Sequence, residues 1–417
     1  MSTVTVPVQK LLFVTYGGGH AQMVLPVVQW FASHTAIEVQ VLALTTAAPV
    51  FAHAGIAGVA VLGFRDFVRP EDADALGWGE RLLAGNTSAQ VSREESIAYL
   101  GLSYADLEQR LGAAEAAQAY ARFGRQALRP VGVLRRIIAQ LAPGVVVATS
   151  SPRAERAAIE AAGLMGLPSV CLVDLFAIDE IAWVGQPGYA SRVCVLNQAV
   201  ADRLLAHGRK PEEVCVTGNP SFDDLKAQRW IAAGQALRAA HGWDGQQVVL
   251  WASQPEPAEH PSVPGRKGDT RLPGRIRLAL EAWALAAPGR VLVLRPHPSE
   301  ALLEASLHPQ IVSHGRDFEL NTLLNAVDGV VTMNSTVGLQ GHVAGKHVIQ
   351  VLGSMFDDSA PLAQYGMAEA CDDLEKLPAL LQAWNAPGAR PRPRSSAFAS
   401  SATEAVARVL LKLLPPF

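Results

Sequence analysis

Short, continuously apolar, β-branched runs alternate with longer helical stretches along this chain, and the alternation restarts once. In the first half the runs lie at 11–16, 39–44, 59–64, 145–149, 169–173, 192–196 and 214–217. Gly, Pro or polar residues bound most of them, as expected of strands covered on both faces by helices. Residues 21–33, 104–140, 153–165 and 198–207 read as the helices between them. Strand, helix and strand in succession make parallel βαβ units and a doubly wound sheet. The pattern begins again with strands at 248–252, 291–295, 329–333 and 348–352, separated by helices at 275–287, 320–326 and 337–344. At 417 residues the chain exceeds the roughly 250–300 at which a single core stops growing. The expectation is therefore α/β: two Rossmann-like doubly wound domains, 1–220 and 221–400, facing each other across a cleft. Gly218-Asn219-Pro220 makes a natural hinge turn. The closing helix, near 402–414, is amphipathic and reads as core packing, with 401–417 returning to the first domain.

Composition narrows the class. With 49% hydrophobic and 18% charged residues the chain is too apolar to be largely disordered. A net charge of −3 argues against nucleic acid as a partner. No run approaches the roughly 20 apolar residues a membrane span requires. The N-terminus, with Lys10 its only early charge, runs into a strand and glycine turn rather than reading as a signal peptide. A cytoplasmic location is expected. The four cysteines show no CxxC or CxxH spacing, and Cys171, Cys194 and Cys215 sit in strand-like runs as buried, inert thiols. With neither HExxH nor a clustered carboxylate pattern, no metal site is expected.

Two segments break the alternation. Residues 66–101, mixed polar and aromatic, read as a decoration on one domain. Residues 254–274, dense in Pro, Gly and charge directly after a strand, are long for a connection inside an α/β unit. Ligands of open α/β sheets bind at the carboxyl ends of strands, so such a loop reads as functional.

The first strand runs into Gly17-Gly18-Gly19-His20 and then a helix. Glycines there admit crowded or left-handed backbone, and the helix start offers unpaired N–H groups to an anion. Gly18 and Gly19 are candidate phosphate contacts. His20 is a candidate general base near neutral pH, or a cap on a tight turn. The pattern is not GxGxxG, so a nicotinamide or flavin site is not supported. Asp174 ends a strand and precedes Asp179-Glu180; it can orient His20, bind an acceptor hydroxyl or cap a helix.

In the second half, Arg295-Pro296-His297-Pro298 ends an apolar strand, and the prolines fix the direction of His297. An Arg and a His at a strand end suit a phosphate or diphosphate. Asn334, Ser335 and Thr336 form an N-cap cluster whose hydroxyls and helix N–H groups suit the same anion. Weaker candidates for nucleotide or sugar contact are Ser253 and Gln254 after one strand, Gln340 one turn into a helix, and Asp358 beside Asp357.

GGGH after the first strand, VTGNP at the hinge, RPHP, and NSTVGLQGHVAGKHVI together resemble GT-B glycosyltransferases. The first loop is similar to that of the peptidoglycan N-acetylglucosaminyltransferase and of members whose histidine after the first strand is the base. CLVDLF through VTGNPSFDD resembles bacterial capsule and teichoic-acid enzymes. RPHP followed by NST is similar to motifs of bacterial sialyltransferases and glycerophosphotransferases that contact donor phosphates. The resemblance implies an inverting, metal-independent transferase of cell-surface polysaccharide synthesis, with His20 as base and His297, Ser335 and Thr336 on the donor phosphates. It places the nucleotide in the second domain and the acceptor in the first. The implied donor is a UDP- or CMP/CDP-linked sugar bound as substrate, with no separate cofactor. The acceptor would be a glycan, a lipid-linked or a small molecule, with peripheral contact at the inner membrane. Gln340 stands near the place where the peptidoglycan enzyme carries a glutamate. The acidic motif of sialyltransferases is not evident, and neither is the GTRPE-like opening of nucleotide-sugar 2-epimerases. A hydrolase or 2-epimerase of the same fold, and a non-catalytic nucleotide- or glycan-binding protein, are the alternatives.

Overall fold

A computed structural model describes residues 9–84, 90–261, 263–301, 304, 306–385 and 401–415. Its contacts divide the chain into two units, Met1–Ser221 with Ala399–Phe417, and Phe222–Phe398.

The first unit opens with β1 (Lys10–Tyr16), α1 (Gly18–His34), β2 (Glu38–Leu44), α2 (Ala47–Ala54) and β3 (Ala60–Leu62). Four helices follow: α3 (Ala73–Leu82), α4 (Arg93–Leu111), α5 (Ala113–Phe123) and α6 (Val131–Leu141). The chain then returns to the sheet through β4 (Val145–Thr149), α7 (Ala154–Leu164), β5 (Ser169–Leu172), α8 (Ile181–Val184), β6 (Arg192–Val195), α9 (Gln198–Ala206) and β7 (Val214–Val216). The seven strands form one sheet in the order β3-β2-β1-β4-β5-β6-β7. The ladders are parallel, with Phe13 opposite Val41 on one side and Val147 on the other. Leu11 to Val14 are fully buried, which is why that run is apolar at every position instead of alternating.

The second unit runs α10 (Gln228–Ala240), β8 (Gln247–Ala252), α11 (Leu272–Leu285), β9 (Arg290–Arg295), β10 (Ile311–Val312) and α12 (Leu320–Ala326). It continues with β11 (Gly329–Thr332), α13 (Thr336–Val343), β12 (His347–Val351), β13 (Glu369–Cys371) and α14 (Leu377–Ala383). Its sheet has six parallel strands in the order β10-β9-β8-β11-β12-β13. The last helix, α15 (Ala402–Leu413), lies in the first unit. There Val406, Ala407, Leu410 and Leu414 join the core of Leu11, Val24 and Val28.

The two doubly wound parallel sheets match the expectation from the alternation, and the structure corrects it in two places. The edge strands β10 and β13 are too short to leave an apolar run in the sequence. Residues 104–140 are not one helical stretch. Gly112 (φ 82) ends α4, Gly124 (φ 55) ends α5, and Pro130 stands immediately before α6. Residues 66–101 belong to the first unit, between β3 and β4. Their described part holds α3 and the first half of α4, which approach so closely that a Cβ on Gly79 would collide with the Ile97 carbonyl. A Cβ on Gly101 would collide with that of Ala75.

Candidate functional site

Each sheet reverses its strand order beside its first strand, and ligands of open α/β sheets bind at that switch point, outside the carboxyl ends. In the first unit the switch lies between β1 and β4. Gly17 leaves β1 with φ 98 and ψ 152, a conformation essentially reserved for glycine, and so starts α1 immediately. His20 consequently sits in the first turn of α1, half-buried, with its Nδ1 buried and without a hydrogen-bond partner among the described residues. The Gly18 N–H is committed internally, donating to Thr46 Oγ1 at 3.1 Å. Gly19 is exposed.

Across the switch point stands a carboxylate that the sequence reading passed over. Glu155, in the first turn of α7, is fully buried. Its Oε1 accepts the Tyr16 N–H at 2.6 Å and the Thr149 hydroxyl at 2.9 Å, tying the ends of β1 and β4 together. Its Oε2 is buried without a partner among the described residues. Burial pushes this carboxyl above the ordinary glutamate range, and the charge of His20 is the largest influence pulling it back. Glu180 is held above its ordinary range mainly by burial, then by Asp179 and Asp174, with His20 again opposing. The charge of His20 thus favours the ionised form of both Glu155 and Glu180. Asp174, the carboxylate expected to orient it, is turned to the hinge: Asn219 Nδ2 donates to the Asp174 carbonyl at 2.7 Å and to its Oδ1 at 3.5 Å. Two loops at the same sheet edge hold left-handed backbone without glycine, at Thr45 (φ 50) after β2 and Ala177 (φ 51) after β5. Strain of this kind gathers at functional sites.

In the second unit the switch lies between β8 and β11. Thr332 Oγ1 donates to the Ala252 carbonyl at 3.2 Å and accepts the Ser335 N–H at 3.1 Å, which locks the two strand ends. Ser335 caps α13, its hydroxyl accepting the Val337 N–H. Thr336 follows, exposed. Asn334 is drawn aside, its Nδ2 donating to Ser354 Oγ at 2.8 Å. His297 Nδ1 accepts the Ser299 N–H at 3.2 Å and lies 2.7 Å from the Ser299 hydroxyl. That arrangement leaves Nε2 to carry the proton of the neutral ring and to donate outward. Between β9 and β11 lies only β8, so the two ends stand about 10 Å apart, two strand spacings.

Other expected contacts have internal partners. Arg295 donates through one Nη1 to the carbonyls of Gly315 and Phe318, shaping the connection after β10. Ser253 donates to Glu300, which also accepts the His297 N–H. Asp358 is an exposed partner of Arg266 at 2.9 Å. That pair, with Glu256 accepting from Ser354 Oγ and Met355 N, pins the long loop after β8 onto the loop after β12. Gln254 stays half-buried with an unpartnered Oε1, and Gln340 is half-buried in α13. Among the described residues no group of three or more His, Cys, Asp or Glu side chains is placed to hold a metal ion. None of their helices is long and apolar enough to cross a membrane.

Residues 276–372 match the capsule polysaccharide biosynthesis protein family. None of the curated proteins compared with the chain matches it. Among solved structures, the chain is similar to the UDP-GlcNAc 2-epimerase of Neisseria meningitidis bound to UDP-GlcNAc, with 14% identity, 97% of this chain and 100% of that chain covered, and a TM-score of 0.57. The UDP-GlcNAc 2-epimerase of Methanocaldococcus jannaschii gives 11% identity, 97% and 100% coverage and a TM-score of 0.57. The calicheamicin glycosyltransferase CalG4 gives 15% identity, 98% and 99% coverage and a TM-score of 0.55. The chain has the fold of this GT-B superfamily of glycosyltransferases and 2-epimerases.

Proposed function

We propose that this protein is an inverting glycosyltransferase of cell-surface polysaccharide synthesis, using a nucleotide-activated sugar. The observation that carries the reading is His20, presented in the first turn of α1 at the switch point of the first sheet, where buried Glu155 accepts the N–H of Tyr16 at the end of β1. With Nδ1 turned inward, Nε2 takes the proton of an acceptor hydroxyl. The acceptor oxygen then attacks the anomeric carbon, and the bond from that carbon to the donor phosphate oxygen breaks with inversion. In the second unit, His297 Nε2–H, the Thr336 hydroxyl and the first-turn N–H groups of α13 are donors suited to the phosphates of a nucleotide sugar. The match over residues 276–372 supports the polysaccharide setting. The neighbour bound to UDP-GlcNAc supports a UDP-linked donor.

Replacing His20 by Ala removes the base, worth typically about 10²–10⁴-fold in rate. With a panel of nucleotide sugars and an acceptor extract, turnover by His20→Ala falls within that range while nucleotide affinity holds. Unchanged turnover overturns the assignment. A 2-epimerase is the second reading, favoured by the solved neighbours. Solvent deuterium entering the donor sugar at C2 without any acceptor decides for it.

A further inference from the structure

The carboxyl ends of β1 and β2 border a cavity of about 210 Å³ lined by Tyr16, Thr45, Thr46, Ser96, Tyr99 and Arg125, with Val91 and Leu100 as its apolar part. Tyr16 ends the strand that leads through Gly17 into the helix carrying His20, and it gives its N–H to Glu155. The cavity combines aromatic faces with hydroxyls, the usual surroundings of a sugar ring. Tyr16 and Tyr99 stand 5.4 Å apart between ring centroids. Tyr99 is only 2% exposed, and its hydroxyl is buried without a hydrogen-bond partner among the described residues.

Two cations mark the place further. Arg125 lines the cavity, half-buried, and Arg153 lies with its guanidinium 4.2 Å from the centroid of the Tyr16 ring, also half-buried. Neither forms an ion pair with a carboxylate among the described residues. Taking a guanidinium partly out of water without a counter-charge is unfavourable, and Arg is the side chain whose planar fork suits a carboxylate or phosphate.

We infer that this cavity is the acceptor subsite and that it takes an acidic saccharide, one bearing a carboxylate or phosphate held by Arg125. The inference rests on the transferase reading for the word acceptor, but its test is a binding measurement independent of turnover. Ligand-observed NMR titrations of the full chain use glucuronic acid and glucose 6-phosphate, with glucose as the neutral control and sodium sulfate as the free-anion control. The acidic sugars bind, glucose binds at least tenfold more weakly, and sulfate at equal ionic strength does not reproduce the effect. Preference between the two acidic sugars separates a carboxylate from a phosphate. Arg125→Gln weakens acidic-sugar binding at least tenfold while its melting curve stays close to the parent's, and Arg125→Lys restores part of the affinity. Equal binding of glucose, no binding by either acidic sugar, displacement by sulfate alone, or full binding in Arg125→Gln overturns the inference. A His20→Ala variant that keeps acidic-sugar binding but loses turnover separates this subsite from the base.

Discussion

At the scale of single residues, the informative contrast is between His20 and Glu155. His20 was legible because its signals are local: a strand, a run of glycines and a helix start lie within ten positions. Glu155 was not, because AERAAIEAAG reads as an ordinary helix with a solvated charge. Only the placement of β4 beside β1 buries it and gives it Tyr16 and Thr149 as donors. Its carboxyl is held above the glutamate range by burial, so between its unfolded value, about 4.3, and that raised value the folded chain holds more protons than the unfolded one. Stability is therefore fullest below the unfolded value and falls as pH rises through the window. Glu155→Gln removes that slope. Its melting temperature relative to the parent climbs from about pH 4 upward and levels off once the parent carboxyl is ionised. A difference independent of pH contradicts the shift. At the same scale, an Arg at a strand end and an Asp in a turn look free in a sequence, whereas Arg295 and Asp358 each have an internal partner here.

At the scale of elements, strands were easier to read than the helices between them. A strand buried on both faces is apolar at every position, so β1, β4 and β8 announce themselves within a residue or so of their ends. The helices α4 to α6 merged into one stretch because helix-forming residues continue across the breaks at Gly112 and Gly124. The α3–α4 contact was hidden for another reason: a glycine in a helix looks like a weakness until the facing backbone is known. Here Gly79 and Gly101 are the contact. Gly101→Ala forces the two helices apart and costs about 1–3 kcal/mol in denaturant unfolding. An unchanged midpoint contradicts the packing.

At the scale of the whole molecule, the chain leaves its first unit near Ser221 and comes back to it at the end. Val406, Leu410 and Leu414 of the returning segment are buried in the first core. Fully burying side chains of this size contributes about 1.5–3 kcal/mol each, so the three account for roughly 5–9 kcal/mol against a typical domain stability of about 5–15. A chain ended before residue 399 loses amide protection through β1 and α1 and keeps it in β8 and β9. Equal protection in both sheets with and without α15 contradicts this account. What the sequence determined by itself was periodicity: which runs are strands, that the strands are parallel, that the pattern occurs twice, and where strand meets helix at Gly17 and Ser335. These follow from local rules of burial and backbone conformation, which act over a few residues. Tertiary structure alone decided which polar groups are spent and which are available. That depends on neighbours distant in the chain, such as Arg295 against Gly315 and Phe318, Asp358 against Arg266, and Glu155 against Tyr16. A hydrogen bond or ion pair formed across such a separation leaves no period for a sequence to carry.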